Sequence, residues 1–347
     1  MSRNKSIVLS KLTIILVLRD RMNFTKRWLS YYQQCSPFFE LVIADGSEIP
    51  TLTGSQQRKL SGNIQYLYEG PDIDIATMIK KIKKASDLVR TEFTVLSSND
   101  DFYILNGLAR GVKYLQNNPE WIASMGIVRD FSVIQTPLQV EEIYGKVHFG
   151  DVLYKKESIS EQTSLARASR FLQTDESFWH AVFRSQALNT ILSELQNLKI
   201  SDLIIYEKAL NLKAAQIGKL HRDHKTVFML HQVHPQMEAK KLMRFDEPKK
   251  CWIREFNSML IAIFKSSDGN GNIPTYDSIL LNLMNKGENM QGNSLRLIIQ
   301  KFKFKFASSR FIGVINRLDP FTARIYLEPE VRAILKFLRN PRNFNQY

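Results

Sequence analysis

The sequence predicts an α/β fold in which a mixed, mainly parallel β-sheet is flanked by helices and followed by a mostly helical C-terminal extension. Over the first hundred residues, short apolar segments rich in branched side chains alternate with segments of helical periodicity, and three of the apolar segments end in polar clusters. Continuous branched apolar runs are typical of strands buried on both faces. Their alternation with helical patterns indicates βαβ units and parallel pairing.

The N-terminal elements follow from this pattern. The apolar run from Ile7 to Leu18 is interpreted as the first core strand and not as a signal sequence, because Lys11 interrupts it and no small-residue cleavage site follows. Residues 19–36 carry aromatic side chains at helical spacing. The sequence then predicts two strands, an amphipathic helix and a fourth strand, in "FELVIADGS", "NIQYLYEG", "DIDIATMIKKIKKASDLV" and "EFTVLSS".

The rest of the chain divides near residue 235. Up to that point we expect a helix at 105–118, a strand at 121–134, an uneven polar loop within 140–175, a strand leading into a helix in "ESFWHAVFRSQALNTILSEL", and a helix that ends at Gly218. Beyond it, helical patterns and basic residues dominate. The predicted domains are therefore residues 1–235 and a basic, mostly helical region, 236–347.

The composition limits the expected cellular location of the protein and the chemical classes of its partners. Two cysteines are too few for a disulfide framework, and no apolar run approaches the roughly 18 residues of a membrane span, so we expect a cytoplasmic protein. The net charge of +14 favours an anionic partner, which leaves nucleotides, nucleic acids and lipid head groups open. No nucleic-acid-binding motif is present, so a nucleic acid is the weaker alternative.

The three polar clusters are "RDR" at 19–21, "DGS" at 45–47 and "NDD" at 99–101. In open α/β sheets, ligands bind beyond the carboxyl ends of the strands. If these strands run parallel, the three clusters lie on one edge of the sheet. The sequence therefore predicts a single polar site built from distant segments.

The order "TIILVLRDR", helix, "LVIADGS" and "TVLSSNDDF" resembles the nucleotide-sugar glycosyltransferases of the GT-A fold, in particular their large inverting family, over roughly residues 11–235. The resemblance implies a hexosyl or related sugar transfer, with inversion, from a nucleoside-diphosphate sugar to a glycan or lipid-linked acceptor in surface polysaccharide synthesis. It also implies Mg²⁺ or Mn²⁺ as cofactor. Two departures are visible: Ser98 replaces the first acid of the Asp-x-Asp motif, and "RDR" stands where many relatives carry Asn. A catalytically degenerate sugar-nucleotide-binding protein is therefore an alternative.

The acidic pair is the predicted metal site. Asp100 is expected to bind the cation and Asp101 to assist or orient it, because hard divalent cations prefer carboxylate and phosphate oxygens. Burying either carboxylate without a partner would cost several kcal/mol, so a cation or water must meet them. The structural alternative is that an aspartate caps the helix that follows.

Five residues are expected to bind the nucleotide sugar. A carboxylate is an acceptor that suits ribose hydroxyls and a base N–H, and an arginine or lysine suits the diphosphate. Turn formation and a solvated helix face are the structural alternatives for these residues. The predicted ligands are Arg19, Asp20, Asp45, Lys81 and Asn99, and Arg21 shares the functional interpretation of "RDR", in which an arginine binds phosphate.

The catalytic base is expected later in the chain, where a carboxylate can accept the proton of the attacking hydroxyl. By position in the family, Glu207 is the first candidate and Asp202 the second, although Asp202 also fits a helix cap. Asp175 and Glu176 are further candidates.

Two basic features have a functional and a structural interpretation. The histidines of "HRDHKTVFMLHQVHP" could complete a metal site, or they are incidental on a loop and strand. Residues 296–342 contain 11 Lys or Arg against three acids, including "KFKFKF", and either lie on an anionic membrane at the inner face or pack on the catalytic domain. A sugar-nucleotide pyrophosphorylase would need a glycine-rich loop after the first strand, which "RDRMNFTKRWL" lacks.

Overall fold

The computed structural model describes residues 3–34, 38–58, 60–134, 143–153, 157–174, 177–233, 255, 258–264 and 328–339. The strands are β1 Leu12–Leu18, β2 Glu40–Asp45, β3 Ile64–Tyr68, β4 Phe93–Ser98, β5 Phe102–Tyr103, β6 Trp121–Ile134, β7 Lys146–Leu153, β8 Val182–Arg184 and β9 Lys219–Gln232. The helices are α1 Arg3–Leu9, α2 Met22–Gln34, α3 Gly54–Gln57, α4 Ile75–Asp87, α5 Leu105–Asn117, α6 Ser164–Thr174, α7 Ser185–Leu195, α8 Leu203–Ile217 and α9 Pro329–Arg339.

The nine strands of the described residues belong to one sheet, in the order β3-β2-β1-β4-β8-β6-β9-β5, with β7 paired to β6. The first four strands pair in parallel, whereas β8 runs antiparallel to both β4 and β6. Strand β9 pairs in parallel with β6 and antiparallel with β5. The predicted mixed, mainly parallel α/β class is confirmed.

Strand β1 forms the centre of the parallel half. Its apolar residues Leu12, Ile14, Ile15 and Leu16 are fully buried, as expected for a strand covered on both faces. Helix α4 covers the sheet with a buried row that includes Ile75, Ile79 and Ile82. Its N-cap is Asp74, whose side chain accepts the Thr77 N–H in a capping box.

Strand β9 lies unusually close to the elements beside it. A Cβ atom added to Gly107 of α5 would lie 2.5 Å from the Val227 carbonyl oxygen, and one added to Gly126 of β6 would lie 2.6 Å from the Thr226 carbonyl oxygen. Glycine is therefore required at both positions for the backbones to approach this closely. The close packing fixes the position of β9, which carries His231.

One local prediction was wrong. The apolar segment from Ile7 is not all strand, because residues Arg3–Leu9 form α1 and the strand starts at Leu12. The region 140–175, in which we expected an uneven polar loop, also contributes β7, which pairs along β6, and α6, which buries Phe171 and Leu172. Residues 140–142, 154–156 and 175 lie outside the described residues, and the loop stays a prediction.

By their contacts, residues Met1–Ser267 and Ile334–Tyr347 form one compact unit, and Asp268–Ala333 form a second. Within the larger unit, Phe337 of α9 packs against Tyr31 and Tyr144, with ring centroids 5.3 and 5.7 Å away. The predicted boundary near residue 235 and the "KFKFKF" segment lie outside the described residues and stay predictions. Among the described helices, none has both the length and the hydropathy needed to cross a bilayer.

Candidate functional site

The carboxyl ends of β1, β2 and β4 meet at one edge of the sheet. The register pairs Leu18 of β1 with Asp45 of β2, and Val17 with Ser98 of β4. Because these strands are parallel neighbours, "RDR", "DGS" and "NDD" follow them on the same side. The structure therefore places the three predicted clusters together.

The turn after β1 has a strained backbone that is held by the neighbouring loop. Asp20 and Arg21 have φ angles of 55° and 59°, in the left-handed region that residues other than glycine rarely adopt. The Asp20 N–H donates to Ser47 Oγ at 2.7 Å, and the Glu48 N–H donates to Asp20 Oδ1 at 3.0 Å. These reciprocal bonds hold the strained turn, and Asp20 thereby serves the loop structure at the predicted nucleotide site. Its neighbour Arg19 is partly exposed and lies 3.8 Å from it, and the ligand roles of both stay predictions.

Asp45 organises the turn after β2. Its fully buried carboxylate accepts hydrogen bonds from the N–H groups of Ser47 and Thr51, at 2.9 and 2.7 Å, and from the Tyr66 hydroxyl. Burial opposes ionisation, but the hydrogen bonds from Ser47, Tyr66 and Thr51 outweigh it and hold the pKa of Asp45 below its usual value. The geometry thus favours the structural alternative, and a direct contact between Asp45 and a nucleotide stays a prediction.

Lys81 is buried and not on a solvated helix face. Its ammonium donates to the Leu18 carbonyl at 3.0 Å and to the Asp72 carboxylate. The Lys81 ammonium and the Asp72 carboxylate lie directly behind Gly46, where an added Cβ would overlap both. Lys81 therefore supports the ends of β1 and β2, and the predicted contact of Lys81 with the diphosphate stays a prediction. Its neighbour Lys80 is exposed.

Asp100 is held by two arginines. The guanidinium of Arg21 donates to Asp100 Oδ2 at 2.9 Å, and that of Arg27 donates to the Asp100 backbone carbonyl at 2.9 Å. Beside it, the buried Asn99 amide donates to the Thr25 hydroxyl at 3.0 Å. The site is thus tied to helix α2, and the carboxylate of Asp100 is already matched by a cation.

Asp101 faces two histidines that come from distant segments. Strand β5 pairs with β9 through Phe102 and Leu230, which sets Asp101 beside His231. Asp101 Oδ1 lies 2.9 Å from His231 Nδ1 and accepts the Gln232 N–H at 3.0 Å, whereas Oδ2 lies 3.7 Å from His180 Nε2. One possible ligand atom from each of Asp101, His180 and His231 lies within 4.8 Å of the others.

This arrangement fits a bound cation. Asp101 is fully buried, and its Oδ2 receives no hydrogen bond from any described residue. His180 Nδ1 lies 3.2 Å from the Leu96 carbonyl, an acceptor only, so Nδ1 carries the proton and Nε2 presents its lone pair. Burial lowers the pKa of His180, which favours this neutral form. A lone pair and an unsatisfied carboxylate oxygen face each other, as metal ligands do.

The surroundings of the two acids differ. We predicted Asp100 as the main metal ligand and Asp101 as its helper, and these roles stay predictions; in the structure the unsatisfied oxygen belongs to Asp101 and the ion-paired carboxylate to Asp100. Burial opposes charge on His231, but Asp101 raises its pKa to about 10. Without a metal, the His231 imidazolium therefore balances the Asp101 charge.

His180 was missed because a lone histidine in "SFWHAVF" has no metal-ligand spacing around it. Of the histidines that were considered, His231 joins the cluster, whereas His221 stacks on Tyr114 with ring centroids 3.4 Å apart, away from Asp101. His234, Asp175 and Glu176 lie outside the described residues.

The two candidate bases differ in their surroundings. Asp202 caps α8, since its carboxylate accepts the Ile205 N–H at 3.0 Å, which matches the structural alternative. Glu207, one turn further, is half-buried, and burial raises its pKa to about 7, with His231 partly opposing the shift. A carboxyl with a pKa near neutrality, interacting with the histidine of the acidic cluster, is suited to proton transfer.

Comparisons with known proteins bear on the fold. No protein-family model and no curated protein sequence matches the chain. The crystal structure of S. aureus TarS 1-349 in complex with UDP-GlcNAc has a TM-score of 0.51 at 14% identity, covering 97% of this chain and 93% of that one. The TarS structure with UDP has a TM-score of 0.47 at 15% identity, covering 97% and 92%.

A longer TarS structure has a TM-score of 0.48 at 14% identity and covers 96% of this chain and 53% of its own, so the present chain spans about half of that length. Only the comparison with a TM-score above 0.5 bears on the architecture. It supports the glycosyltransferase-like fold that the motif order predicted.

Proposed function

We propose that this protein is a glycosyltransferase that moves a sugar, with inversion, from a nucleoside-diphosphate donor to a glycan or lipid-linked acceptor. One observation carries the proposal: a buried, unsatisfied carboxylate oxygen of Asp101 and the Nε2 of His180 face each other at 3.7 Å, at the sheet edge where ligands bind in α/β folds. The fold supports the same conclusion.

Asp101, His180 and His231 would hold a divalent cation, Mg²⁺ or Mn²⁺. When bound, the cation supplies positive charge that stabilises the departing diphosphate. Two imidazoles favour Mn²⁺ of the two, since Mg²⁺ prefers oxygen ligands. Arg21 adds a fixed positive charge beside this position.

Glu207 is proposed to act as general base. The acceptor oxygen forms a bond to the anomeric carbon as the bond from that carbon to the diphosphate oxygen breaks, and the hydroxyl proton passes to the Glu207 carboxylate. A pKa of about 7 leaves a substantial fraction of Glu207 ionised at neutral pH while keeping it basic enough to accept the proton. Asp202 caps the same helix and fixes its start.

The donor class follows from the nucleotide seen with the matching fold. TarS 1-349 was crystallised with UDP-GlcNAc, which makes a uridine diphosphate sugar the first donor to test here. A role in surface polysaccharide synthesis, with cytoplasmic action at the inner face of the membrane, extends the proposal to the acceptor. The basic region 296–342 would supply the membrane contact.

The test is a thermal-shift screen of the full chain with UDP, GDP, CMP and their sugars, each with and without Mn²⁺, followed by donor hydrolysis and transfer assays. The expected result is that one nucleotide class raises the melting temperature and that its sugar is hydrolysed or transferred. Absence of binding by every nucleotide under both conditions would overturn the proposal. Binding without any turnover would instead indicate the catalytically degenerate alternative.

A further inference from the structure

Arg21 places a cation at the site independently of any metal. Its guanidinium lies 2.9 Å from Asp100 Oδ2 and rests over the Phe24 ring, 4.2 Å from the centroid. The exposed fraction of the side chain is 25% for Arg21 and 11% for Asp100, so solvent reaches the arginine more than the buried carboxylate. Asp101, the neighbouring acid, is engaged by the histidines.

The position of this guanidinium is set by a backbone that other interactions must hold. Arg21 and the residue before it both have left-handed φ angles, and the reciprocal hydrogen bonds between Asp20 and the loop at Ser47 keep them there. Strained residues of this kind cluster at functional sites, where the strain fixes a side chain for use. The Phe24 ring further restricts the plane of the guanidinium.

We propose that Arg21 exchanges Asp100 for the diphosphate of the donor and is a second electrophilic group beside the Asp101 metal position. This inference rests on the proposed function and extends it to the binding of the leaving group. The planar guanidinium matches the geometry of phosphate oxygens, which it binds through paired N–H donors. A phosphate that takes the place of the Asp100 carboxylate accepts the same charge-assisted hydrogen bonds and carries more negative charge, so it can compete for the guanidinium.

The proposal implies that part of the affinity for a nucleoside diphosphate does not depend on a metal. The metal position and the arginine position share no residue: the first consists of Asp101, His180 and His231, and the second of Asp100 and Arg21. A substitution can therefore change one position and leave the residues of the other in place. Removing the metal should weaken nucleoside-diphosphate binding without abolishing it. The remaining affinity should depend on Arg21.

The experiment is calorimetric titration of the full chain with UDP in excess EDTA, repeated with Mn²⁺. In EDTA we expect Arg21→Gln to weaken UDP binding about tenfold or more, as for loss of charge-assisted hydrogen bonds. Arg21→Lys should fall between this variant and the wild type. Lys26→Gln, which removes an exposed charge from helix α2, is the matched control and should bind as the wild type does.

A second variant distinguishes loss of the arginine contact from misfolding. Asp100→Asn keeps Arg21 and removes the negative charge that the UDP diphosphate would replace, so UDP binding in EDTA should equal or exceed that of the wild type. Equal affinities of wild type and Arg21→Gln in EDTA, or a loss in Asp100→Asn as large as in Arg21→Gln, would overturn the inference. If the wild type binds no nucleotide, the proposed function fails, and inorganic pyrophosphate is titrated instead: binding that Arg21→Gln weakens supports the arginine site, and binding that is absent or unchanged refutes it.

Discussion

The Nε2 atom of His180 lies 3.7 Å from Oδ2 of Asp101, a buried oxygen that no described residue supplies with a hydrogen bond. The two residues are 79 positions apart, and they meet because the segment before β8 crosses the end of β4, where His180 Nδ1 contacts the Leu96 carbonyl. A buried acceptor without a donor is costly. The pair therefore defines where a cation would stabilise this protein.

Asp101 and Asp100 should respond differently to amide substitution. Asp101→Asn removes the negative charge at the cluster with the histidines and should weaken Mn²⁺ binding about tenfold or more, whereas Asp100→Asn should change it little. Electron paramagnetic resonance titration of Mn²⁺ against the full-chain variants measures both. Equal losses in the two variants would show that the acids share the cation.

His180 should contribute to metal binding through Nε2. His180→Gln is expected to reduce Mn²⁺ affinity and to reduce the rise in melting temperature that Mn²⁺ causes in the wild type, because ligand binding to the native state stabilises it. His221→Gln is the matched control, since His221 stacks on Tyr114 and takes no part in the cluster. A His180 variant that keeps the wild-type Mn²⁺ shift would contradict this assignment.

Glu207 should control the pH dependence of turnover. Its pKa is raised to about 7, so kcat/KM should increase as the pH rises through about 7, when the carboxylate becomes free to accept a proton. Glu207→Gln should lower kcat by about 10² or more and remove this limb of the profile. Full activity in Glu207→Gln would transfer the role to another residue, with Asp202→Asn as the next variant to assay.

The raised pKa of Glu207 should also lower the stability of the folded protein as the pH rises, whereas turnover should increase. Because the folded state binds this proton more tightly than the unfolded state does, the contribution of Glu207 to stability is largest below its ordinary pKa of 4.5 and is lost as the pH rises towards about 7. The melting temperature of Glu207→Gln should therefore rise relative to that of the wild type as the pH increases from about 5 to about 8. A constant difference across that range would mean that the carboxyl is not perturbed by folding.

Asp45 should act mainly on stability. Asp45→Asn places an amide where three donors converge, and we expect a loss of about 1–3 kcal/mol in the free energy of unfolding, measured with urea. Glu48→Gln, an exposed substitution in the same loop, should change it by less than about 0.5 kcal/mol. If Asp45→Asn is as stable as the wild type but loses UDP binding, the direct ligand role is the correct one.

The sequence by itself was sufficient to predict which strand ends meet at one edge of the sheet. Branched apolar runs and the polar residues after them located β1, β2 and β4, and parallel pairing then placed "RDR", "DGS" and "NDD" together. These signals are local, since burial on both faces imposes continuous apolar character on a strand. The fold class could be predicted for the same reason.

Only the tertiary structure decided what each acid contacts. Consecutive residues after a strand point in different directions, so adjacent carboxylates such as Asp100 and Asp101 meet different partners, here Arg21 and the two histidines. Those partners lie 79, 79 and 130 positions away, in the turn before α2, before β8 and on β9. Such contacts depend on how helices and strands pack, which local periodicity does not encode.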